Sequence, residues 1–131
     1  DSLKSALHYG AKRLGHGINV IHYPELIDKI KEKQVLLEVC PTSNVQTNSI
    51  IDYYHHPIKK LQEKGCPISV STDNRTVSIT LTEEYKRLMD IFHFTVEDFC
   101  KWNLDAINHC FLPENEKQKY RNIIQSYLSN K

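Results

Sequence analysis

The stretch Ile68-Ser69-Val70-Ser71-Thr72-Asp73-Asn74 decides the fold. Gly65 closes the pattern before it and Pro67 cannot continue a helix, so an extended segment is expected. Apolar β-branched residues alternate with serines, which predicts a short strand with two unlike faces. The strand ends on Asp73 and Asn74, and α/β proteins place their chemistry at such carboxyl ends. Taken alone, this pair is more simply explained as an Asx turn.

Composition bounds the answer to one globular domain. The 131 residues are 40% apolar with a net charge of +1, so nothing indicates a nucleic-acid or membrane partner. No apolar run approaches a membrane span, and no signal peptide is visible. The four cysteines are scattered and predict reduced, buried thiols in a cytoplasmic protein (Cys40, Cys66, Cys100 and Cys110). The chain opens on Asp1 rather than Met, so we expect a processed protein or part of a longer one.

Before this strand, the chain alternates helices with two further strands. Residues 1–12 predict a helix that Asp1 or Ser2 can cap and Gly10 ends. A short strand follows over 13–17, where two glycines flank His16 and allow close approach of the backbone.

The second helix-strand pair has a clearer sequence pattern. Residues 19–33 predict a helix, and the apolar run 35–40 is typical of a strand buried in a parallel sheet. A polar loop is expected over 41–48, followed by a short helix from Pro57 to about Gly65.

Three helices are expected after Asn74. Thr80 and Glu83 form a capping-box pattern ahead of a helix from Thr82, Thr95 opens the next helix, and Pro113 opens the last. Strands that alternate with helices predict parallel pairing with right-handed crossovers. Three strands leave two open sheet edges unless other strands or elements cover them.

Three segments now resemble the successive strand-end motifs of the adenosine deaminase family: 13–17 (RLGHG), 37–44 (LEVCPTSN) and 69–74 (SVSTDN). The resemblance runs in order over almost the whole chain. It implies a parallel (β/α)8 barrel of the metal-dependent hydrolase type with one zinc ion at the carboxyl ends of its strands. The implied activity is hydrolytic deamination of adenosine and deoxyadenosine to inosine and ammonia in purine salvage.

The resemblance also implies residue roles. His16 matches the histidine beside the metal-bound water, which it helps to deprotonate and orient. Asp73 matches the zinc-ligand aspartate. Asn74 stands where many family members have a second aspartate that contacts N7 of the purine, so it is the expected substrate-binding residue. An amide can donate or accept there but cannot share a proton as a carboxylate does.

Several family motifs are missing from the chain. It contains neither the His-x-His pair nor the His-Ala-Gly-Glu segment that carries the other zinc ligands and the acid. We therefore expect residues 1–131 to be the C-terminal part of a single barrel domain, inactive by itself. The remaining zinc ligands and the N-terminal half of the barrel, its expected partner, would lie outside this chain.

Other histidines and aromatic residues are expected to be structural. His8, His22, His93 and His109 lack ligand spacing, and the pair His55-His56 lies in a presumed loop. Helical spacing predicts packing roles for Phe99, Trp102 and Tyr120.

Two other functions stay open. A related adenine or AMP deaminase would be distinguished by Asn74 and the loop 75–80. A catalytically silent fragment would bind a partner through its open strand edges.

Overall fold

The computed structural model describes residues 2–74, 76 and 78–129, and these form a three-stranded parallel sheet with helices packed around it. Asp1, a predicted cap, and Arg75, which opens the predicted loop 75–80, lie outside the described residues. The strands are β1 (Arg13–Gly15), β2 (Leu36–Val39) and β3 (Ile68–Val70). The helices are α1 (Ser2–His8), α2 (Pro24–Lys33), α3 (Pro41–Gln46), α4 (Ile58–Glu63), α5 (Leu81–Phe92), α6 (Val96–His109) and α7 (Glu114–Ser129). Two 3-10 turns, Ile18–His22 and Tyr53–His55, complete the element order.

The predicted parallel pairing is confirmed, with strand order β1-β2-β3. Leu37 of the central strand pairs with Leu14 on one side and with Ile68 on the other. Because the strands are parallel and their ends are level, the residues that follow each strand lie at one edge of the sheet. His16 extends β1 by donating its backbone N–H to Glu38 O at 2.8 Å.

The core is continuous across the sheet and its helices. On the central strand, Leu36, Leu37 and Val39 are each at most 1% exposed, as expected for a strand covered on both faces. Trp102 of α6 is 1% exposed and anchors an aromatic cluster. No helix in the described part of the chain has the length and apolar character that a bilayer span requires.

Prolines explain two corrections to the predicted elements. The helix expected over 19–33 is a 3-10 turn, Ile18–His22, and then α2, because Pro24 has no N–H to continue the first and fits the first position of the second. The loop expected over 41–48 is instead mostly helix α3, which Pro41 opens in the same way.

Smaller differences concern element ends and exposure. Both capping boxes are confirmed, at Thr80 and at Thr95. Helix α1 ends at His8, two residues before Gly10, the predicted stop, which has a φ of 81°. Tyr120 is 47% exposed, so its predicted packing role is wrong: no described residue of α7 is buried. Trp102 and Phe99 are buried as expected.

The cysteines differ in burial. Three are buried free thiols (Cys40, Cys66 and Cys100). Cys110, at the end of α6, is only half-buried, so the predicted burial is wrong at that position.

Candidate active site

Two of the three predicted site residues meet at the carboxyl edge of the sheet. His16 follows β1 and Asp73 lies three residues beyond β3, yet His16 Nε2 is 3.8 Å from Asp73 Oδ2 across the end of β2. Both side chains are 45% exposed. They line a cleft of about 340 Å³ together with Gly15, Ser43 and Asn44. The cleft therefore holds an imidazole and a carboxylate that ligands can reach.

The backbone that presents these two residues is unusual. His16 and Asp73 both have a φ of 58°, in the left-handed region that non-glycine residues seldom adopt. Such conformations persist where the surrounding structure enforces them, and they cluster at functional sites. Gly17 follows with a φ of 62°, and a Cβ there would lie 2.9 Å from Leu37 Cδ2. The turn after β1 thus requires glycine at 17, whereas Gly15 has open space around the position of a Cβ within the described structure.

The Asp73 carboxylate is held from the end of the neighbouring strand. Ser43, in α3, donates its hydroxyl to Asp73 Oδ2 at 2.8 Å. The Asp73 N–H is donated to Ser71 Oγ at 3.2 Å, which keeps the left-handed turn closed. Helix α3 therefore supplies a positioning hydroxyl that the expected loop over 41–48 did not suggest.

The His16 imidazole is held by a buried polar chain. Asn44 Nδ2 is 3.1 Å from His16 Nδ1, and Asn44 Oδ1 is 3.2 Å from His56 Nε2. Asn44 and His56 are each 3% exposed. Burial lowers the pKa of His56 to about 4, because it disfavours the charged imidazolium.

Sequence reasoning missed Asn44 and His56. Asn44 lies within the segment 37–44 that carries the resemblance, which was a usable signal. His56 gave no signal, because it lacks ligand spacing and acts through a side chain twelve residues away.

Asn74 is not brought into the cleft. Its side chain is exposed, and Oδ1 accepts the Thr76 N–H at 2.9 Å in an Asx turn. The turn that explains the Asp73-Asn74 pair most simply is therefore present at Asn74. It coexists with the close approach of Asp73 to His16.

Behind the cleft lie two acidic groups, each with its pKa raised by burial. Burial raises the pKa of the Cys40 thiol to about 11, so this cysteine is not a nucleophile at neutral pH. Glu84 is fully buried, accepts the Thr42 N–H at 3.2 Å, and has its pKa raised chiefly by burial. Neither residue lines the cleft.

The donor set suits part of a metal site. A catalytic zinc ion usually has three protein ligands drawn from His, Cys, Asp and Glu. The described residues contain no group of three such side chains placed to hold a metal. The cleft offers one carboxylate and one imidazole, side chains of the types that bind zinc. They are fewer than the three protein ligands that a zinc ion usually has.

Comparison of the sequence with known proteins relates the chain to one family. Residues 1–127 match the family model for adenosine deaminase. The adenosine deaminase of Plasmodium falciparum is 43% identical over 130 residues, which cover 98% of this chain and 35% of that protein. The chain therefore spans about a third of the length of its curated relatives.

Solved structures agree on the fold. The adenine deaminase of Arthrobacter aurescens has a TM-score of 0.90 at 20% identity, covering 97% of this chain and 39% of that one. The arabidopsis N6-mAMP deaminase has a TM-score of 0.82 at 26% identity, covering 95% and 37%. A cog1816 amidohydrolase from Burkholderia ambifaria, solved with bound Zn, has a TM-score of 0.74 at 22% identity, covering 98% and 39%.

These structures are parallel barrels, so the three strands and their helices are part of a (β/α)8 barrel of the metal-dependent hydrolase type. The family model covers nearly the whole chain, and the cleft lies where such barrels carry their chemistry. The chain belongs to the adenosine deaminase family.

Proposed function

We propose that the complete protein containing this chain is a zinc-dependent hydrolase that deaminates adenosine and deoxyadenosine to inosine and ammonia in purine salvage. The observation that carries this is the 3.8 Å approach of His16 Nε2 to Asp73 Oδ2 in the cleft at the strand ends. The 43% identity to an adenosine deaminase supports adenosine as the substrate. The Burkholderia ambifaria neighbour with bound Zn supports zinc as the metal.

The chemistry needs a nucleophile at C6 of the purine and proton transfers around it. Zinc, when bound, lowers the pKa of water to about 7 and so supplies that nucleophile. We assign Asp73 as a zinc ligand, with the Ser43 hydroxyl holding its carboxylate in place. We assign His16 as the catalytic residue, because its Nε2 faces the cleft and can orient the attacking water or exchange its proton.

Asn74 is the proposed substrate-binding residue. Its Oδ1 is engaged by the Thr76 N–H, so Nδ2 is the atom it can offer to a ligand. Purine N7 is a hydrogen-bond acceptor, and an amide N–H is a suitable partner for it. In this proposal the Asn74 amide N–H donates to N7 of the base.

The other zinc ligands and the acid that protonates N1 come, in this proposal, from outside the chain. Residues 1–131 would be the C-terminal part of a single barrel domain, with the N-terminal half of the barrel pairing at the edges of β1 and β3. The three buried free thiols support a reducing, cytoplasmic location.

A related adenine or AMP deaminase is the second candidate function. The arabidopsis N6-mAMP deaminase shares 26% identity and the fold, and Asn74 departs from the aspartate of the resemblance. The third, a silent fragment that binds a partner, predicts neither metal nor turnover.

Two measurements on the complete protein test the proposal. We expect one zinc per chain by metal analysis after dialysis, and ammonia release that is fastest from adenosine and deoxyadenosine. Faster release from adenine or AMP would select the second function. No zinc and no ammonia would refute deaminase activity and leave the binding role.

The isolated chain provides a further control. With Asp73 as its one proposed ligand, residues 1–131 alone should show no stoichiometric zinc and no deamination. Tight one-to-one zinc binding by this polypeptide would contradict the assignment of the other ligands to a different part of the barrel.

A further inference from the structure

We propose that Asn44 and His56 are positioning residues that set the tautomer of His16, so that the nitrogen facing the cleft, Nε2, carries the proton. The catalytic meaning of this inference rests on the proposed function, whereas the tautomer itself does not. Asn44 contacts His16 at Nδ1 rather than at Nε2, the nitrogen that faces Asp73, and His56 reaches the imidazole through Asn44.

The donor and acceptor roles along this hydrogen-bond chain are set at its inner end, His56. The backbone N–H of Ile58 lies 3.2 Å from His56 Nδ1. A backbone N–H can only donate, so Nδ1 of His56 must accept and carries no proton. Burial lowers the pKa of His56 to about 4, so the ring is neutral at pH 7 and its single proton lies on Nε2.

The Asn44 amide must then point one way. His56 Nε2–H is a donor, so the Asn44 atom 3.2 Å from it must be the oxygen. The amide nitrogen therefore faces His16. A flipped amide would place two donors against each other in a site where both residues are 3% exposed. Leaving buried groups unpaired in that way is unfavourable, because they lose hydrogen bonds that water would otherwise supply.

The position of the proton on His16, at the outer end of the hydrogen-bond chain, follows from the same reasoning. Asn44 Nδ2 donates to His16 Nδ1 at 3.1 Å, so this nitrogen holds a lone pair. The neutral His16 ring then has its proton on Nε2, the nitrogen directed toward Asp73. Neutral His16 is thus a hydrogen-bond donor to a water or carboxylate oxygen in the cleft. Of the two roles open to it, orienting the attacking oxygen is selected over removing its proton.

The inner members of this hydrogen-bond chain are buried. Asn44, His56 and the donor residue Ile58 are all buried, the last with no exposed surface. The His16 side chain is 45% exposed and lines the cleft. The inner nitrogen of His16 is therefore controlled by the fold, and the outer nitrogen is left to the ligand.

The direct test is nitrogen NMR of the complete protein labelled in its histidine rings. Unprotonated ring nitrogens resonate well downfield of protonated ones, and the His16 signals are assigned by their loss in His16→Ala. We expect Nδ1 unprotonated and Nε2 protonated in both His16 and His56 near neutral pH. A proton on Nδ1 of His16 would overturn the inference.

Two variants test the cause. Asn44→Leu keeps the volume and removes the amide, so His16 should become a mixture of tautomers. If this removes the cleft donor, kcat should fall by roughly 10²–10³, with a much smaller change in KM. His56→Gln keeps an N–H that can donate to Asn44 Oδ1, so it should retain the His16 tautomer and more turnover than His56→Leu.

The readouts separate this inference from the proposed function. An unchanged His16 tautomer in Asn44→Leu refutes the positioning role even if kcat falls. If Asn44→Leu does not fold, the wild-type spectrum and His56→Gln still decide the question. A protein that shows the expected tautomer but releases no ammonia would refute deaminase activity and leave the hydrogen-bond chain established.

Discussion

The molecule contains two networks of hydrogen-bonded polar side chains, each with an amide at its centre, and the two networks differ in role. In the cleft network, an amide (Asn44) joins His56 to His16. In the cap network, an amide (Gln62) accepts the Trp102 indole N–H at 2.7 Å and donates to Asp98 at 2.6 Å.

The difference lies in the last member of each chain. The carboxylate of Asp98 closes the capping box of α6, where it accepts the N–H and hydroxyl of Thr95. The hydrogen bonds along that path tie α4 to α6 and close the cap of α6. The cleft network ends on His16, whose outer nitrogen points into an open cleft. A buried polar chain is structural when it closes on the fold and is a candidate for function when it ends at a surface.

The largest effects are expected at the cleft itself. In the complete protein, Asp73→Ala should lower both zinc content and turnover, because it removes a proposed ligand. His16→Ala leaves the proposed ligand set intact, so zinc should stay while kcat falls, by roughly 10²–10⁴-fold if His16 acts only in proton transfer and by roughly 10²–10³-fold if it only orients the attacking oxygen. Metal analysis and ammonia release on the same preparations measure both.

Ser43→Ala is the matched control for that pair. It removes only the hydroxyl that holds Asp73 Oδ2, so it should affect zinc affinity less than Asp73→Ala does. If His16→Ala loses zinc while Asp73→Ala keeps it, the two roles are assigned the wrong way round.

The cap network should respond in stability rather than in turnover. Trp102 is 1% exposed, so Trp102→Ala should lower the free energy of unfolding by about 3–5 kcal/mol. Trp102→Phe keeps most of the ring but leaves Gln62 Oε1 without its donor, at a cost of about 1–3 kcal/mol. Denaturant unfolding and kcat of the folded variants are the measurements.

The same prediction requires that turnover is not affected by a change in the cap network. Trp102→Phe should keep kcat and zinc content near wild type, because the cap network does not reach the cleft. A fall in kcat comparable to that of His16→Ala would erase the distinction between the two networks.

Acid should weaken the cleft network through His56. The pKa of His56 is about 4 in the folded protein and 6.5 ordinarily, so the unfolded chain binds the proton first as pH falls. The stability associated with neutral His56 is fully present above pH 6.5. It is lost as pH falls from about 6.5 to about 4, by up to about 3 kcal/mol.

His56→Gln isolates this contribution. Unfolding free energies of the wild type and the variant, measured from pH 7 to pH 4, should show a wild-type advantage that shrinks with acidification. A difference that does not change with pH would mean that His56 is not held neutral by burial.

Local rules in the sequence predict much of this architecture. Alternation and β-branching at 68–71 and the apolar run at 35–40 identify β3 and β2, and the capping patterns at Thr80 and Thr95 identify two helix starts. Pro41 carries the signal for α3, but the polar composition of 41–48 obscured it. The convergence of His16 and Asp73 follows from parallel pairing, which needs only the order of the strands.

The residues behind the cleft that hold His16 cannot be predicted from the sequence in the same way. Asn44 and His56 come together because α3 and the turn before α4 fold onto the strand ends. Their roles depend on burial and on which atom faces which, and neither follows from sequence spacing.

The smallest effect is expected for substitution of Asn74, which lies outside the cleft. This side chain is exposed and already makes an Asx turn with Thr76, so Asn74→Ala should leave zinc occupancy unchanged. Loss of one proposed hydrogen bond to the purine is worth about 1 kcal/mol, or roughly fivefold in kcat/KM for adenosine. Asn74→Asp is the control, because a carboxylate oxygen can still accept the Thr76 N–H and keep the turn. It restores the residue that many family members carry, so activity on adenosine should be preserved or raised. If Asn74→Ala changes only stability and not kcat/KM, Asn74 belongs to the turn alone. Substrate recognition would then have to come from residues that line the cleft.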